Sequence, residues 1–175
     1  MRRSDAMEIG QLRASNRSRL AELLVATGAF HAAEMDVALS LFDVEMRRTA
    51  SDGPADYEFV GAFEEGELAG YACFGPTPAT EGTYDLYWLA VDPVLQGRGI
   101  GRALVRAVEA QLVARDARLL IVETSSRATY AATRQFYARS GYTEAARVRD
   151  FYAPADDRIL LTTRLTTRDG GAAIR

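Results

Sequence analysis

The stretch VDPVLQGRGIGRALV, Val91–Val105, places Gly97, Gly99 and Gly101 between an apolar segment and an amphipathic one. A tight turn between a strand and a helix needs one glycine and rarely three. The free N–H groups at the start of a helix, together with the helix dipole, form a site for anions. Glycines leave these N–H groups uncovered, so the stretch predicts a phosphate-binding loop at a strand–helix junction.

Two common nucleotide loops fit this stretch poorly. A Walker A loop ends in Gly-Lys-Ser/Thr, and Val91–Val105 contains no lysine. A dinucleotide loop has the pattern G-x-G-x-x-G. Counted from Gly97 the third glycine comes one residue early, and counted from Gly99 its place is taken by Leu104. A nucleotide-binding regulator is therefore the weaker interpretation.

Hydrophobic periodicity predicts helices and strands on both sides of this loop. Before it we expect a short strand, two helices and a hairpin that turns at Glu65-Gly66; after it we expect a helix, a strand, another helix and a final hairpin. The predicted segments are a strand near 7–12, a helix from Asn16 or Ser18 to Gly28, a helix over 32–48, strands over 57–75 and 83–92, a helix from Ile100, a central strand over 118–123, a helix over 128–142 and strands over 143–152 and 158–165.

One buried stripe is expected in the helix over 32–48, formed by Met35, Ala38, Leu39, Phe42 and Met46, and another in the helix after the loop, formed by Ile100, Leu104, Val108 and Leu112. The continuous apolar run at 118–123 indicates a strand that is covered on both faces.

This pattern indicates an α+β (mixed αβ) fold. We expect a central, mostly antiparallel sheet of six to seven strands with helices on both faces, because hairpins dominate and only one strand–helix–strand crossover is present. The length of 175 residues suits a single domain over 1–175, with a core of about 7–166 and a flexible tail at 167–175.

Composition excludes several function classes. The net charge of −3 argues against a nucleic-acid partner. A single cysteine, Cys73, and a single histidine, His31, argue against a metal site. No apolar run reaches the ~18 residues of a membrane span, and the first ten residues lack the apolar core of a signal peptide. We therefore expect a cytoplasmic protein with no membrane partner.

Two motifs resemble those of the GNAT family of N-acetyltransferases. Gln96, Gly99 and Gly101 fit the pattern Gln/Arg-x-x-Gly-x-Gly/Ala, preceded by LAVDP and followed by a helix, as in motif A of that family. FYARSGY, Phe136–Tyr142, resembles the family's LYEKLGF segment. With the predicted strand order, the likeness covers about residues 57–165.

The resemblance implies acetyl-CoA as co-substrate, without a metal, in a cleft where two parallel strands splay apart. Backbone groups of Leu89, Ala90 and Val91 would then pair with the pantetheine amides like an added strand. The diphosphate would lie on the amides of the loop, with charge added by one of its arginines. The implied binding residues here are Gln96, Gly97, Arg98, Gly99, Ile100, Gly101 and Arg102.

The resemblance also implies direct transfer of an acetyl group to an amine, with Tyr137 as the acid for the leaving thiolate. Tyr130 stands where the family often has an asparagine near the CoA. Asp85 matches the glutamate of the histone-acetylating branch, and Glu123 is the second candidate base. Alternatives stay open: Tyr137 as a packed aromatic, and Asp85 as an ammonium anchor or a solvated acid.

The acceptor is not specified by any motif. We expect a primary amine of a small molecule or peptide, and a homodimer is an open possibility. In the last hairpin, Phe151, Tyr152, Asp156 and Asp157 are either substrate contacts or a solvated turn. The alternative function is a non-catalytic acyl-CoA-binding module.

Overall fold

A computed structural model describes residues 7–28, 30–49 and 51–165 of the chain. The predicted tail at 167–175 lies outside these residues. The described part contains four α-helices and seven strands, in the order β1 Glu8–Gln11, α1 Arg17–Thr27, α2 Ala32–Met46, β2 Glu58–Glu64, β3 Glu67–Pro76, β4 Thr83–Val91, α3 Ile100–Val113, β5 Leu119–Ser125, α4 Ala131–Arg139, β6 Thr143–Ala153 and β7 Asp156–Arg164.

The strands form a seven-stranded mixed sheet in the order β1-β2-β3-β4-β5-β7-β6. The pairs β1–β2, β2–β3, β5–β7 and β6–β7 are antiparallel, and β4 and β5 are the parallel pair. This arrangement confirms the predicted α+β fold with its single crossover, made by α3.

The chain divides into two compact units. The first comprises Met1–Pro76 and Leu86–Val108, and the second comprises Thr77–Asp85 and Glu109–Arg175. Both β4 and α3 contribute residues to each unit. The assignment of 1–175 to a single acetyltransferase domain stays a prediction.

The first unit is built on the predicted hairpin β2–β3. Glu65 and Gly66, the two turn residues, have positive φ angles of 52° and 87°, as a two-residue hairpin turn requires. Strand β1 pairs with β2, so three strands follow one another in antiparallel order. Helix α1 ends at Thr27, and the left-handed φ of 60° at the following residue, Gly28, confirms the predicted glycine stop.

Two helices bury their apolar faces in this unit. The predicted stripe on α2 is confirmed, since Ala38 and Phe42 are fully buried and Met35, Leu39 and Met46 pack against the same core. Phe42 meets the ring of Phe59 edge-on at 5.3 Å, and such buried aromatic pairs are worth about 0.5–1.5 kcal/mol beyond the area that they bury. The buried members of the core are Leu12, Leu20, Leu23, Leu24, Ala38, Phe42, Leu68, Tyr71, Cys73 and Ala90.

The second unit contains the sheet β5-β7-β6 and helix α4. Strand β7 pairs with β5 from Arg158 to Arg164 and with β6 on its other side. Strand β5 was expected to be covered on both faces, but its burial alternates and Glu123 is exposed. Period-two burial is typical of a strand with one covered face, whereas the apolar run Leu119–Val122 suggested two.

Helix α3 buries the four residues that its spacing predicted, Ile100, Leu104, Val108 and Leu112, all at 1% exposure or less. Within residues 7–28, 30–49 and 51–165, no helix combines the length and apolar character needed to cross a membrane.

Candidate functional site

The glycine loop, defined as residues 92–101, follows the last residue of β4. Asp92 organises its first half. The Asp92 side chain accepts a hydrogen bond from the Val94 amide at 3.0 Å, and the Leu95 amide donates to the Asp92 carbonyl oxygen at 2.9 Å. These bonds close a short 3₁₀ turn, Pro93–Leu95, that delivers the chain to the glycines.

Gly97 and Gly99 have φ angles of 82° and 86°, in the left-handed region that side chains disfavour. A Cβ atom built at either position would meet nothing within 4 Å. Lack of space within the protein is therefore not the reason for glycine at these two positions. Open space beside bare backbone is the arrangement that a bound phosphate needs.

The first turn of α3 supplies the candidate donors. The Ala103 amide donates the first intrahelical hydrogen bond, to the Gly99 carbonyl oxygen at 2.9 Å. The amides of Ile100, Gly101 and Arg102 precede it and have no intrahelical acceptor, since the first turn of any helix leaves its N–H groups without one. Ile100 is 1% exposed and anchors this turn in the core.

Two arginines flank the glycines, as the sequence indicated. Arg98 forms an exposed ion pair with Glu64, with 3.3 Å between Nη1 and Oε2, and Arg102 is exposed. Exposed ion pairs contribute little stability, so Arg98 can exchange Glu64 for a diphosphate at low cost. The Gln96 side chain reaches back to the Val91 carbonyl oxygen at 3.4 Å.

Leu89, Ala90 and Val91 are the last three residues of β4. Ala90 is buried, and its carbonyl oxygen lies so close to β3 that a Cβ added at Gly70 would come within 2.8 Å of it. Close backbone packing against β3 therefore fixes the position of this end of β4.

Tyr137 lies on α4 and is 4% exposed. Its ring packs edge-on against Tyr142 at 5.3 Å and against Phe136 at 5.0 Å. Burial raises the pKa of Tyr137 above its ordinary value, so the phenol stays protonated at neutral pH and can donate a hydrogen bond. Tyr130 immediately precedes α4 and ends a 3₁₀ turn, so the helix begins after it.

Asp85 is the third residue of β4, near the turn that follows β3. Its Oδ2 accepts a hydrogen bond from the Thr77 hydroxyl at 2.6 Å. Asp85 is half-buried, and the Thr77 hydroxyl that donates to it is a neutral group. The Thr77 hydroxyl thus orients the carboxylate without forming an ion pair with it.

Glu123 lies on β5 and is engaged on both oxygens. Tyr152 donates its hydroxyl proton to Oε1, and Arg158 Nη2 lies 2.5 Å from Oε2. Burial, and then the hydrogen bond to Glu123, raise the pKa of Tyr152. The Arg158 guanidinium also stacks over the Phe151 ring at 5.0 Å, so these four side chains form one cluster.

The last hairpin differs from the predicted loop. β6 and β7 continue to a two-residue turn at Pro154-Ala155, and Asp156 is buried at 5% exposure beside Arg127 Nε at 3.0 Å. Asp156 is thus an internal residue and not part of a solvated turn, whereas Phe151 and Tyr152 are exposed.

The remaining single residues fit structural roles. His31 caps α2 and its amide donates to Glu34 at 2.8 Å. Burial raises the pKa of the Cys73 thiol, which opposes the thiolate needed for a nucleophile. In the described ranges no group of three or more His, Cys, Asp or Glu side chains is arranged to hold a metal ion.

The structure thus places the candidate binding residues from Leu89 to Arg102 in the first unit, and it places Tyr130, Tyr137, Asp85 and Glu123 in the second. The sequence did not reveal Arg19, whose guanidinium pairs with Asp92. A salt bridge between residues 73 positions apart leaves no local pattern.

Known proteins share this arrangement of elements. A protein of the GNAT family from Desulfovibrio desulfuricans is 40% identical and superposes with a TM-score of 0.84 over 92% of this chain and 100% of its own. The PaiA N-acetyltransferase of Thermoplasma acidophilum, solved in complex with coenzyme A, is 16% identical, with a TM-score of 0.69 over 91% of this chain and 99% of its own. That second likeness shows the fold alone.

The N-alpha-acetyltransferase RimI of Mycobacterium tuberculosis is 49% identical over 51 residues, or 27% of this chain. The match spans 31% of that curated relative's length. The family model for the acetyltransferase (GNAT) family matches residues 21–142, which include the glycine loop and α4. The chain therefore belongs to the GNAT family of acetyltransferases.

Proposed function

We propose that the protein moves the acetyl group of acetyl-CoA directly to a primary amine of a small molecule or peptide. One observation carries the proposal beyond family membership. Gly97 and Gly99 present left-handed, uncovered backbone, with open space beside it, immediately before α3. A diphosphate is the part of acetyl-CoA that such a turn recognises.

The residues of the first unit suit the co-substrate. The amides of Ile100, Gly101 and Arg102 would bind the diphosphate, and the exposed guanidinium of Arg98 would add charge. The backbone of Leu89–Val91 would pair with the pantetheine amides in the manner of an added strand.

Acetyl-CoA supplies a thioester carbonyl that an amine attacks. The amine must lose a proton, and Asp85 is the favoured acceptor because its described hydrogen-bond partner, Thr77, is neutral. Glu123 is the alternative, and its carboxylate forms an ion pair with Arg158. Asp85 also suits the role of an ammonium anchor.

Tyr137 would donate a hydrogen bond to the sulfur as negative charge develops on it. A free thiol titrates at a pKa of about 8.5, so a phenol whose pKa is raised by burial is the weaker acid. Its contribution is therefore stabilisation of the leaving thiolate by a charge-assisted hydrogen bond more than complete proton transfer.

The Mycobacterium relative is named as an N-alpha-acetyltransferase, an enzyme that acts on an α-amino group, which supports a peptide N-terminus among the acceptors to be tested. Phe151 and Tyr152 are exposed aromatic residues on β6 and are candidates for contact with it. A cytoplasmic location and a homodimer are further proposals, to be checked by fractionation and light scattering.

The decisive experiment has two stages. Calorimetric titration with acetyl-CoA, CoA, ATP and NAD should give binding of the first two alone. Release of free thiol from acetyl-CoA should then depend on an added amine, in a panel that includes peptides with free and blocked N-termini. Failure to bind acetyl-CoA would refute the proposal, and binding without amine-dependent thiol release across the panel would favour a non-catalytic acyl-CoA-binding module.

A further inference from the structure

We infer that Arg19, on α1, is a positioning residue that sets the affinity for acetyl-CoA by holding the glycine loop through Asp92. The inference rests on the proposed function, because it assumes that the loop binds the diphosphate. It concerns a residue two positions before the segment matched by the family model.

Asp92 is the point at which the loop is attached to the body of the first unit. Its side chain is 12% exposed. Its amide donates to the Ala69 carbonyl oxygen at 2.9 Å, and its Oδ1 accepts from the Val94 amide at 3.0 Å. Asp92 thus holds β3 through its backbone amide and the 3₁₀ turn through its carboxylate.

Arg19 satisfies the other oxygen of that carboxylate. One Nη of Arg19 donates to Asp92 Oδ2, and its Nε donates to the Leu68 carbonyl oxygen at 3.1 Å. The second Nη pairs with Glu22 at 3.1 Å, so the guanidinium is held on three sides. A planar, rigid fork with several bonded donors fixes direction as well as charge.

Loss of Arg19 would leave the Asp92 carboxylate nearly buried without its cation. Such a group is costly to keep, so the side chain would turn toward water and release the Val94 amide. The loop would then have to be ordered when the ligand binds, and that ordering is subtracted from the binding free energy. Arg19 acts through Asp92 and needs no contact with acetyl-CoA.

The matched control is Arg17, two residues earlier on α1. Arg17 also forms an ion pair on this helix, to Asp43 at 2.6 Å, but that pair lies between α1 and α2 and involves no loop residue. Arg19→Ala and Arg17→Ala therefore remove the same side chain from the same helix, and only the first releases Asp92.

The test is calorimetry of wild type and both variants with two probes, acetyl-CoA and 3′-phosphoadenosine 5′-diphosphate, which carries the diphosphate without the pantetheine. Arg19→Ala should weaken both probes by the same factor, about 10-fold, as expected for losing a hydrogen bond to a charged group. Arg17→Ala should stay within ~2-fold of wild type, because its pair is exposed. In steady-state assays with an amine that the enzyme acetylates, KM for acetyl-CoA should rise in Arg19→Ala while kcat changes little.

Hydrogen exchange provides a second measurement on the free protein. The Val94 and Leu95 amides should exchange faster in Arg19→Ala than in Arg17→Ala. Arg19→Lys keeps the positive charge on a single nitrogen without the planar fork, so it should recover part of the affinity. Unchanged affinity in a folded Arg19→Ala, or weakening of acetyl-CoA without weakening of the diphosphate probe, would overturn the inference alone. A wild-type protein that binds neither probe would refute the proposed function and the inference with it.

Discussion

The buried carboxylate of Asp156 accepts a hydrogen bond from the Ser125 hydroxyl, so the first residue of β7 is tied to the last residue of β5. Arg127 Nε lies 3.0 Å from the same carboxylate, and Arg134 donates to the carbonyl oxygens of Ser125 and Arg127 at 2.6 and 2.9 Å. The segment that leads into α4, and hence to Tyr137, is fixed by these contacts.

Replacing Asp156 with alanine should lower the free energy of unfolding by about 2–3 kcal/mol, because the Ser125 hydroxyl and the Arg127 guanidinium lose their partner. Urea denaturation monitored by circular dichroism measures this change. Asp36→Ala, an exposed site on α2, is the control and should stay within about 0.5 kcal/mol of wild type. Equal changes in the free energy of unfolding at the two sites would mean that the contacts of Asp156 with Ser125 and Arg127 do not stabilise the fold.

Tyr137→Phe should reduce kcat by roughly 10-fold to 1,000-fold, the usual range for a general acid or an equivalent hydrogen bond. KM for acetyl-CoA should change little, because the lost bond is strongest in the transition state. Steady-state kinetics with chemistry rate-limiting measure both values.

The control for this change is Tyr142→Phe. Tyr142 packs against Tyr137 and donates to Glu109 at 2.9 Å, so its loss should cost about 1 kcal/mol of stability and leave kcat unchanged. If Tyr137→Phe retains full kcat, Tyr137 is a packing residue and the thiolate leaves unaided. Tyr130→Phe should affect cofactor affinity more than kcat.

Asp85→Asn should lower turnover while the fold persists, because an asparagine oxygen can still accept the bond from Thr77. If Asp85 is the base, the acidic limb of the pH–rate profile should vanish or move in this variant. Glu123→Gln is the parallel experiment and should retain the limb. The opposite pattern, with the limb lost only in Glu123→Gln, would transfer the role to Glu123.

Gly99→Glu should weaken acetyl-CoA binding by on the order of 10-fold to 100-fold, about 1.4–3 kcal/mol, since it adds bulk and negative charge beside the diphosphate. Gly53→Glu is a matched control. Gly53 also has a left-handed φ, of 76°, with open space beside it, but it lies in the loop after α2. Both variants place an L residue at a left-handed φ, so calorimetry with the two proteins separates the effect of backbone strain from the effect on binding. Equal affinities for acetyl-CoA in the two variants would contradict diphosphate binding at this loop.

Asp157 links stability to pH. Hydrogen bonds from the Asp150 amide and from Arg147 hold the pKa of Asp157 below its ordinary value. A carboxyl group whose pKa is lower in the folded state than in the unfolded state stabilises the folded protein at any pH above its unfolded-state pKa, about 3.9 for aspartate. This stabilisation is lost as the pH falls through the pKa of the folded state. The difference in Tm between wild type and Asp157→Asn should therefore be largest near neutrality and shrink below about pH 4. A difference that does not vary with pH would contradict this linkage.

Local patterns were sufficient to predict most of the fold. The spacing of Phe42 and its neighbours identified the buried face of α2, and Gly28 and Glu65-Gly66 marked a helix end and a hairpin turn, because each of these features is decided within a few residues. The glycine loop was recognisable for the same reason.

Contacts between distant segments were not predictable. Two adjacent aspartates, Asp156 and Asp157, look alike in a polar turn, yet one is buried and the other pairs with Arg147 on β6. Likewise, Asp85 and Glu123 were the first and second candidate bases, and only the folded chain shows that an arginine pairs with Glu123.

The bare backbone at Gly97 has a stereochemical consequence. The φ of Gly97 is 82°, and an added Cβ atom would meet nothing within 4 Å. The free protein therefore restricts the backbone handedness at this residue but leaves room for a side chain. A D-alanine introduced by chemical ligation would satisfy that handedness and stiffen the unfolded chain, so it should stabilise the free protein. An L-alanine at Gly97 would meet nothing within 4 Å, yet it would have to adopt a φ that L residues disfavour. A comparison of the D-alanine and L-alanine proteins therefore isolates the cost of backbone handedness at this residue from steric effects within the protein.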